Sequence, residues 1–411
     1  MESQEQIELI SKLQDYLMNA DEGNLDESKN FILEEYLIKG IDYYSPFFRT
    51  YLIALMYRPC ETELYIKLLI NLYESFDNQE MISNFNQVLI ETVFHLPGPQ
   101  ISGLFVLYRL YQSGHINIDD IINKIHLYRY ENTEMKINLV YCYLWFAPEI
   151  NDRNEYFLSL LRSDYDEFSK NNSIHLSLQN FSIDSMTSHN FELLRHYRKS
   201  GHNHRRLFMI LMNDDIDSLQ NENLNPLFDS NLTVNSSFYE ICPFIQNGPT
   251  LIQTAAFFGS IKCFKYLLLN GANLLAADKA NEMLPHFAVA GGNVEIIRIC
   301  HQRKLQMIGA SQIAALFHRN SILTWLIECE CQAEGNVAQN NGTIIQNAAV
   351  TNNLNTIEMC LEKKVDVNGG NKKKTSLQNA CENGNIESVT LLLSSKDIDI
   401  NACVFKYFIF F

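Results

Sequence analysis

Apolar residues recur at helical spacing almost from the first residue. Ile7, Ile10, Leu13 and Leu17 form one stripe, and Leu64, Leu68 and Leu72 another. Phe31, Tyr36 and Leu37 mark a third segment that Gly40 is placed to stop. Tyr and Phe stud these stripes up to residue 146, and aromatic side chains at such spacing build core. Pro97-Gly98-Pro99 reads as a loop, and Pro148 is expected to end the apolar stretch from Met135 to Phe146. A polar stretch around Ser173 to His189 is the candidate boundary of this helical region, which has no strict repeat.

From residue 250 the pattern changes to a repeat. Thr250-Leu-Ile-Gln-Thr-Ala255-Ala-Phe-Phe-Gly259 is followed by Leu267-Leu268 and Gly271-Ala272-Asn273. The frame returns at Pro285-His286-Phe-Ala288 with Gly292 and Ile297, and again at Thr375-Ser-Leu-Gln-Asn-Ala380 with Gly384, Val389, Leu392 and Leu393. Two weaker copies lie between. One has Ala314-Ala315, Leu323 and Leu326-Ile327; the other has Ala348-Ala349, Ile357 and Cys360-Leu361, then Val365-Asp366-Val367-Asn368. The small residues at 255, 288, 314, 348 and 380 are thus spaced 33, 26, 34 and 32 apart, the short interval reading as a trimmed connection. Arg205 to Leu219 looks like a degenerate first copy, with Asn221 to Gly248 as a long loop after it.

The pattern has a physical logic. The Ala pair sits on a first helix that must approach its neighbours closely. The Gly or Asn after it can take the left-handed conformation that ends that helix. The branched and Leu positions make a second buried face. One such pair cannot bury both faces, so copies must stack.

These residues resemble ankyrin repeats, whose signature holds Thr-Pro-Leu-His, Ala-Ala, Gly, a leucine pair and Gly-Ala-Asp. The match runs through Thr250, Ile252, Ala255, Ala256, Gly259, Leu267, Leu268, Gly271 and Ala272, then His286, Ala288, Gly292 and Ile297, then Thr375, Leu377, Ala380, Gly384 and Val389. Departures are that Pro285 sits one place late, the third copy lacks the Gly, and Lys364 stands where a Gly would precede Val365. The runs Pro249 to Leu267 and Leu139 to Ile150 are similar to an uncharacterised group of ankyrin proteins, expanded in some protists, with a helical N-terminal region of unknown function. The expected fold is all-α: an N-terminal helical domain followed by an ankyrin-repeat α-solenoid. Its expected parts are a helical region at 1–190, a degenerate repeat with its loop at 191–248, about five repeats at 249–401 and an apolar tail at 402–411.

Charge separates the same two halves. Of 32 Lys/Arg and 48 Asp/Glu, residues 241–411 hold 14 and 13, leaving 18 and 35 in residues 1–240. Neither half has the positive excess of a nucleic-acid binder. The N-terminus MESQEQ has no basic segment followed by an apolar run, and no apolar stretch approaches the length that spans a bilayer. Ten scattered cysteines read as reduced thiols in a cytoplasmic or nuclear protein, so the sequon at Asn231 is a chance match. The end, Val404 to Phe411, is apolar where a solenoid needs a polar cap. The tail folding over, another subunit, or a chain continuing past Phe411 would cover that face, and continuation is the favoured expectation.

Candidate chemistry is sparse. His202-Asn-His204 and Cys329-Glu-Cys331 have no companion metal motif, and the acidic run Asn213 to Asp217 lacks the Gly and distal Glu of a calcium loop. Cys300, Cys360 and Cys381 fall at frame positions of buried Leu or Ala, and His286 at the signature histidine, where it would bond within its repeat. Arg195-His-Tyr-Arg-Lys199 with Arg205-Arg206 is the dense basic cluster before the repeats and reads as a solvated face. No phosphate loop, nucleophile elbow or kinase signature is present, and neither a cofactor, a metal nor a small-molecule substrate is implied. The expected function is therefore a non-catalytic protein–protein interaction scaffold with an unknown protein partner. The runner-up is an adaptor whose N-terminal helices bind effector machinery while the repeats select a client; an enzyme or a nucleic-acid binder ranks below both. The candidate partner contacts are the fingers at Asp278, Lys279, Asn281 and Glu282 and at Lys372, Lys373 and Lys374, with Phe257 and Phe258 beside the Ala pair. Those two phenylalanines have a competing role, packing on the neighbouring pair.

Overall fold

A computed structural model of the chain describes residues 2–96, 101–131, 136–171, 183–333, 337–368 and 374–402. Its contacts separate two units that cut the sequence at places no linear boundary would give. A helical unit takes Asn19–Ile210 and Thr233–Pro249; a repeat unit takes Met1–Met18, Leu211–Leu232 and Thr250–Phe411. The first helix of the chain, α1 (Glu2–Met18), therefore falls with the repeats and not with the helices that follow it. The stretch 233–249, expected as part of a loop between repeat copies, falls with the helical unit. Among the described residues no helix is long and apolar enough to cross a membrane.

The helical unit contains α2 (Leu25–Ile32), α3 (Tyr44–Tyr57), α4 (Thr62–Tyr73), α5 (Gln79–His95), α6 (Ile101–Gln112), α7 (Ile118–Glu131), α8 (Lys136–Arg153), α9 (Glu155–Asn171) and α10 (Ile183–Tyr197), the last broken by non-helical backbone from Ser188 to Phe191. The stripe Leu64, Leu68 and Leu72 is buried, as are Tyr36 and Leu37. The aromatics form the core that their spacing predicts. Phe85 is surrounded by Tyr44, Phe48, Tyr73 and Phe76 with ring centroids 5.4, 4.5, 5.2 and 5.0 Å away. The expected loop at Pro97–Pro99 lies outside the described residues, as does most of the expected boundary around Ser173.

Pro148 does not end its helix: α8 continues through it to Arg153. A proline lacks the N–H that would reach back to the Leu144 carbonyl and crowds that turn. Here the orphaned carbonyl accepts from the Tyr239 hydroxyl at 3.4 Å, and the next one, of Trp145, accepts from Arg198 Nη1. The residue after the proline, Glu149, takes the same guanidinium in a two-pronged pair at 2.7 and 2.6 Å. Arg198 also lies over the Tyr108 ring, 4.3 Å from its centroid. Both charges are almost wholly out of water. Burial opposes the Arg198 charge, but Glu149 outweighs it and the guanidinium pKa rises. Two side chains from elsewhere in the unit thus serve this turn: the Tyr239 hydroxyl replaces the one bond the proline removes, and Arg198 adds another at the next carbonyl. One of them, Tyr239, belongs to the returning 233–249 stretch. That stretch is held further by Asn203 N–H to Glu240 Oε2 at 3.1 Å and by Asn203 Nδ2 to the Asn235 carbonyl at 2.7 Å.

After α11 (Arg206–Met212) and α12 (Ile216–Asn223), the repeat unit proceeds in pairs: α13 (Leu251–Phe257) with α14 (Ile261–Leu269), α15 (Leu284–Gly291) with α16 (Val294–Gln302), α17 (Ala310–Leu316) with α18 (Asn320–Ala333), α19 (Val337–Val350) with α20 (Leu354–Glu362), and α21 (Ser376–Glu382) with α22 (Ile386–Leu393). The first helices pack in succession, α13 on α15, α15 on α17, α17 on α19 and α19 on α21. Ala255, Ala288, Ala314, Ala348 and Ala380 are all fully buried on them, which is what small residues at that period predict. The approach is close enough that a Cβ on Gly291 of α15 would stand 2.4 Å from the Phe257 carbonyl oxygen of α13.

The turn inside each pair needs left-handed backbone. Gly259, Gly292 and Gly384 supply it at φ 67°, 81° and 67°. In the third and fourth pairs His318 and Asn352 hold the same conformation at φ 50° and 58°, so the missing glycine of the third copy changes the residue and not the turn. The residue after each turn ties it to the previous pair. Asn293 Nδ2 donates to the Gly259 carbonyl at 3.1 Å, Asn353 Nδ2 to Ala315 at 2.9 Å and Asn385 Nδ2 to Ala349 at 2.8 Å, while Arg319 Nη2 reaches the Gly291 carbonyl at 2.7 Å. A ladder of side-chain amides and one guanidinium thus satisfies turn carbonyls that the helices leave open.

α1 lies on the second helices α20 and α22. Its stripe Ile7, Ile10, Leu13 and Leu17 is buried. Gln14 donates to the Asn352 carbonyl and accepts from Leu354 N–H at 3.3 Å, so one side-chain amide closes the α19–α20 turn. Ser11 Oγ donates to Asn355 Oδ1 at 2.7 Å, and Asn355 Nδ2 donates to Asp15 at 3.0 Å.

Candidate partner-binding surface

The fingers are the loops between one pair and the next, and a side chain of a first helix fixes several of those among the described residues. In the first repeat Thr250 and Gln253 form a capping box, Gln253 accepting from Thr250 N–H at 2.8 Å. Gln253 Nε2 then donates to the Ala276 carbonyl of the following finger at 2.8 Å. His286 occupies the same position 33 residues later. Its Nδ1 faces Met283 N–H at 3.1 Å and its Nε2 donates to the Ile308 carbonyl at 2.7 Å. Gln346 Nε2 donates to the Lys374 carbonyl, and Gln378 Nε2 to Ala402 at 3.4 Å. One polar position of the repeat therefore pins the loops that follow the first, second, fourth and fifth pairs. The signature histidine does bond within its repeat, and glutamines do the same work elsewhere.

Nδ1 of His286 also meets the Glu282 carboxylate, so it has two claimants. A neutral ring protonated at Nε2 accepts from Met283; a doubly protonated ring donates to Glu282 instead. Burial alone would lower this pKa, but Glu282, the Ile308 carbonyl and Asp278 together raise it above the ordinary histidine value.

The finger at 276–283 is self-tied. Asp278 Oδ1 accepts from the N–H groups of Ala280 and Glu282, both at 2.8 Å, and Ala277 pairs with Met283 in an isolated bridge. Asp278 is consequently buried, and burial raises its pKa. It shapes the finger and has no face left for a partner. Asn281 supplies the left-handed turn at φ 66°. Lys279 and Asn281 are exposed and Glu282 half-buried. Phe257 is buried at 2% exposure with its ring 6.0 Å from Phe317, so packing is its role; Phe258 beside it stays half-buried. Lys374 is exposed and paired with Glu382, while Lys372 and Lys373 lie outside the described residues.

Several of the remaining candidates make contacts within the chain, and the side chains of Cys329 and Cys331 lie outside the described residues. The dense basic run is not a solvated face throughout, because Arg198 turns inward to Glu149 and Arg195 lies 3.7 Å from Asp152. A run of cations in sequence carries no sign that one of them is a core residue. His204 stacks on Tyr197 at 3.5 Å, and burial with neighbouring Arg205 lowers its pKa to about 4. His202 faces Glu240 at 3.5 Å. Among the described residues no cluster of three or more His, Cys, Asp or Glu is placed to hold a metal ion. Cys300 and Cys360 are buried and their thiol pKa values pushed up to about 12; Cys381, expected to be buried, is exposed beside the buried Ala380.

Residues 311–402 match the family model for ankyrin repeats in three copies. The chain carries ankyrin repeats. The pairs α13–α14 and α15–α16 precede the matched span and continue its geometry, with the same left-handed turns at Gly259 and Gly292. Among solved structures, the chain is similar to the human ASB11 ankyrin repeat domain at 16% identity, covering 48% of this chain and 86% of that one with a TM-score of 0.34. It is also similar to a structure of the Bd0816 predatory endopeptidase from Bdellovibrio bacteriovorus in complex with immunity protein Bd3460, at 19% identity, covering 47% and 98% with a TM-score of 0.32. None of the curated proteins matches the chain. Ankyrin repeats mark a protein–protein interaction module and are a generally non-catalytic family.

Proposed function

We propose that the protein is a non-catalytic scaffold that captures a protein partner on the finger side of its ankyrin stack. The observation that carries this reading is the division of labour within a finger. Asp278, Gln253 and, through the Met283 N–H, His286 are spent on holding the loop, while Lys279 and Asn281 stand exposed on a backbone that is already fixed. A preformed platform loses little conformational entropy on binding. Within the reading, Lys279, Asn281, Glu282 and Lys374 make polar contacts and Phe258 an apolar one, while Phe257 and Asp278 act from beneath.

The adaptor reading has an observation of its own. The helical unit exposes Leu127 and Tyr130 on α7 and Tyr156 on α9, at 53%, 84% and 73%. A photo-crosslinking amino acid placed singly at positions 279, 374 and 130 of the full chain separates the readings. The scaffold reading expects one protein crosslinked from 279 and 374 and none from 130; a second, different protein at 130 supports the adaptor. Crosslinks from 130 alone would contradict both.

A further inference from the structure

The row of second helices already receives one amphipathic helix. α1 presents Ile7, Ile10, Leu13 and Leu17 to α20 and α22 and adds polar bonds from Ser11 and Gln14. It is an acidic helix, carrying Glu2, Glu5, Glu8 and Asp15 against Lys12. Its seat is electrostatically poor: burial raises the pKa of Glu358 on α20, and Glu362 and Glu8 of α1 raise it further. The same row offers a second seat upstream. α16 and α18 leave between them a cleft of about 330 Å³. Its walls are Val294, Ile297, Arg298 and His301 from α16 and Ile322 and Trp325 from α18.

Val294 is 60% exposed and Trp325 36%, with the Trp325 ring edge-on to His301 at 5.7 Å. An exposed tryptophan beside aliphatic side chains is the composition of a binding anchor. The rim carries a fixed positive charge at Arg298, exposed beside His301, and the exposed Arg303 and Lys304 follow as α16 ends. Glu295 on the same helix is already paired with Lys265 at 2.6 Å, and no carboxylate lines the cleft among the described residues.

We infer that the α16–α18 cleft docks an amphipathic helix with an acidic flank, contributed by a partner protein. Apolar side chains at i and i+3 or i+4 would enter beside Trp325, and carboxylates on the adjoining face would meet Arg298 and the end of α16. This surface is separate from the fingers, so it stands or falls independently of the finger-side reading.

The probe is a capped, fluorescent peptide of the α1 sequence, residues 2–18, titrated into the full chain labelled with 5-fluorotryptophan. The chain has two tryptophans, so the fluorine spectrum has two resonances, and Trp325→Phe assigns them. The expected result is a shift of the Trp325 resonance with Trp145 unmoved. R298E should weaken binding at least tenfold, and a peptide with its acids at 5, 8 and 15 changed to amides should lose a similar factor. Lys67→Glu, on an exposed position of α4 in the helical unit, should leave the affinity unchanged. Arg298 is exposed, and circular dichroism confirms that its variant stays folded. Binding that leaves Trp325 unmoved and ignores R298E would mean that the peptide displaces the resident α1, and would overturn the proposal. Absence of binding at millimolar peptide would overturn it equally.

Discussion

Lys304 and Lys364 hold left-handed backbone at φ 57° and 54°, two residues past the end of their helices, where Gly271 does so at 80°. A side chain there costs about 1 kcal/mol relative to glycine. Lys364→Gly and Lys304→Gly are therefore each expected to raise the stability of the repeat unit by about that amount, seen as a higher midpoint in urea with an unchanged slope. The histidines set opposite pH responses. The raised pKa of His286 gives the finger stability that is complete below the unfolded histidine value and lost as pH rises through the folded one. An NMR titration of its ring should show a midpoint above 6.5, and Glu282→Gln should lower it. His204 is depressed to about 4, so the unfolded chain binds its proton first and stability falls as pH drops from about 6.5 toward 4. His204→Gln should flatten that part of the acid limb of the unfolding profile.

At the scale of elements, the repeat was readable because small residues at a fixed period have one physical use, close helix approach. Ala255, Ala288 and Ala380 are buried for that reason. Gly291→Val places atoms where the Phe257 carbonyl oxygen already sits and is expected to destabilise the stack by about 1–3 kcal/mol. What the sequence hid were compensations at a distance. Proline is a helix stop on local grounds, and nothing near Pro148 announces that Tyr239 and Arg198 will take up its carbonyls. The stripe on α1 signals burial but not against what, since amphipathicity specifies a face and no partner. The seat of α1 makes its own prediction. Glu358 has a raised pKa, so its charge works against the folded state, and Glu358→Gln should slow amide exchange in α1 near neutral pH. The wild type should approach the variant as pH falls and Glu358 protonates.

At the scale of the molecule, the contacts group residues by packing and not by sequence order. Residues 1–18 go with a unit that resumes only at Leu211 and pack on its late helices α20 and α22, and 233–249 return to the helical unit that precedes them. Stacked repeats are stabilised mainly by their neighbours, so a lesion in one pair weakens those adjoining it. The fingers were located from sequence because charged, Gly- and Asn-containing stretches fall between the helical frames. Their internal wiring, with Asp278 buried and Phe257 facing Phe317, depends on contacts that sequence spacing does not encode. Hydrogen–deuterium exchange on the full chain with and without Gly291→Val tests the arrangement most directly. Amides of α13 to α22 should lose protection together with those of α1, while α3 to α7 keep theirs. Protection of α1 that follows α3 to α7, or helix pairs that respond without regard to their neighbours, would contradict it.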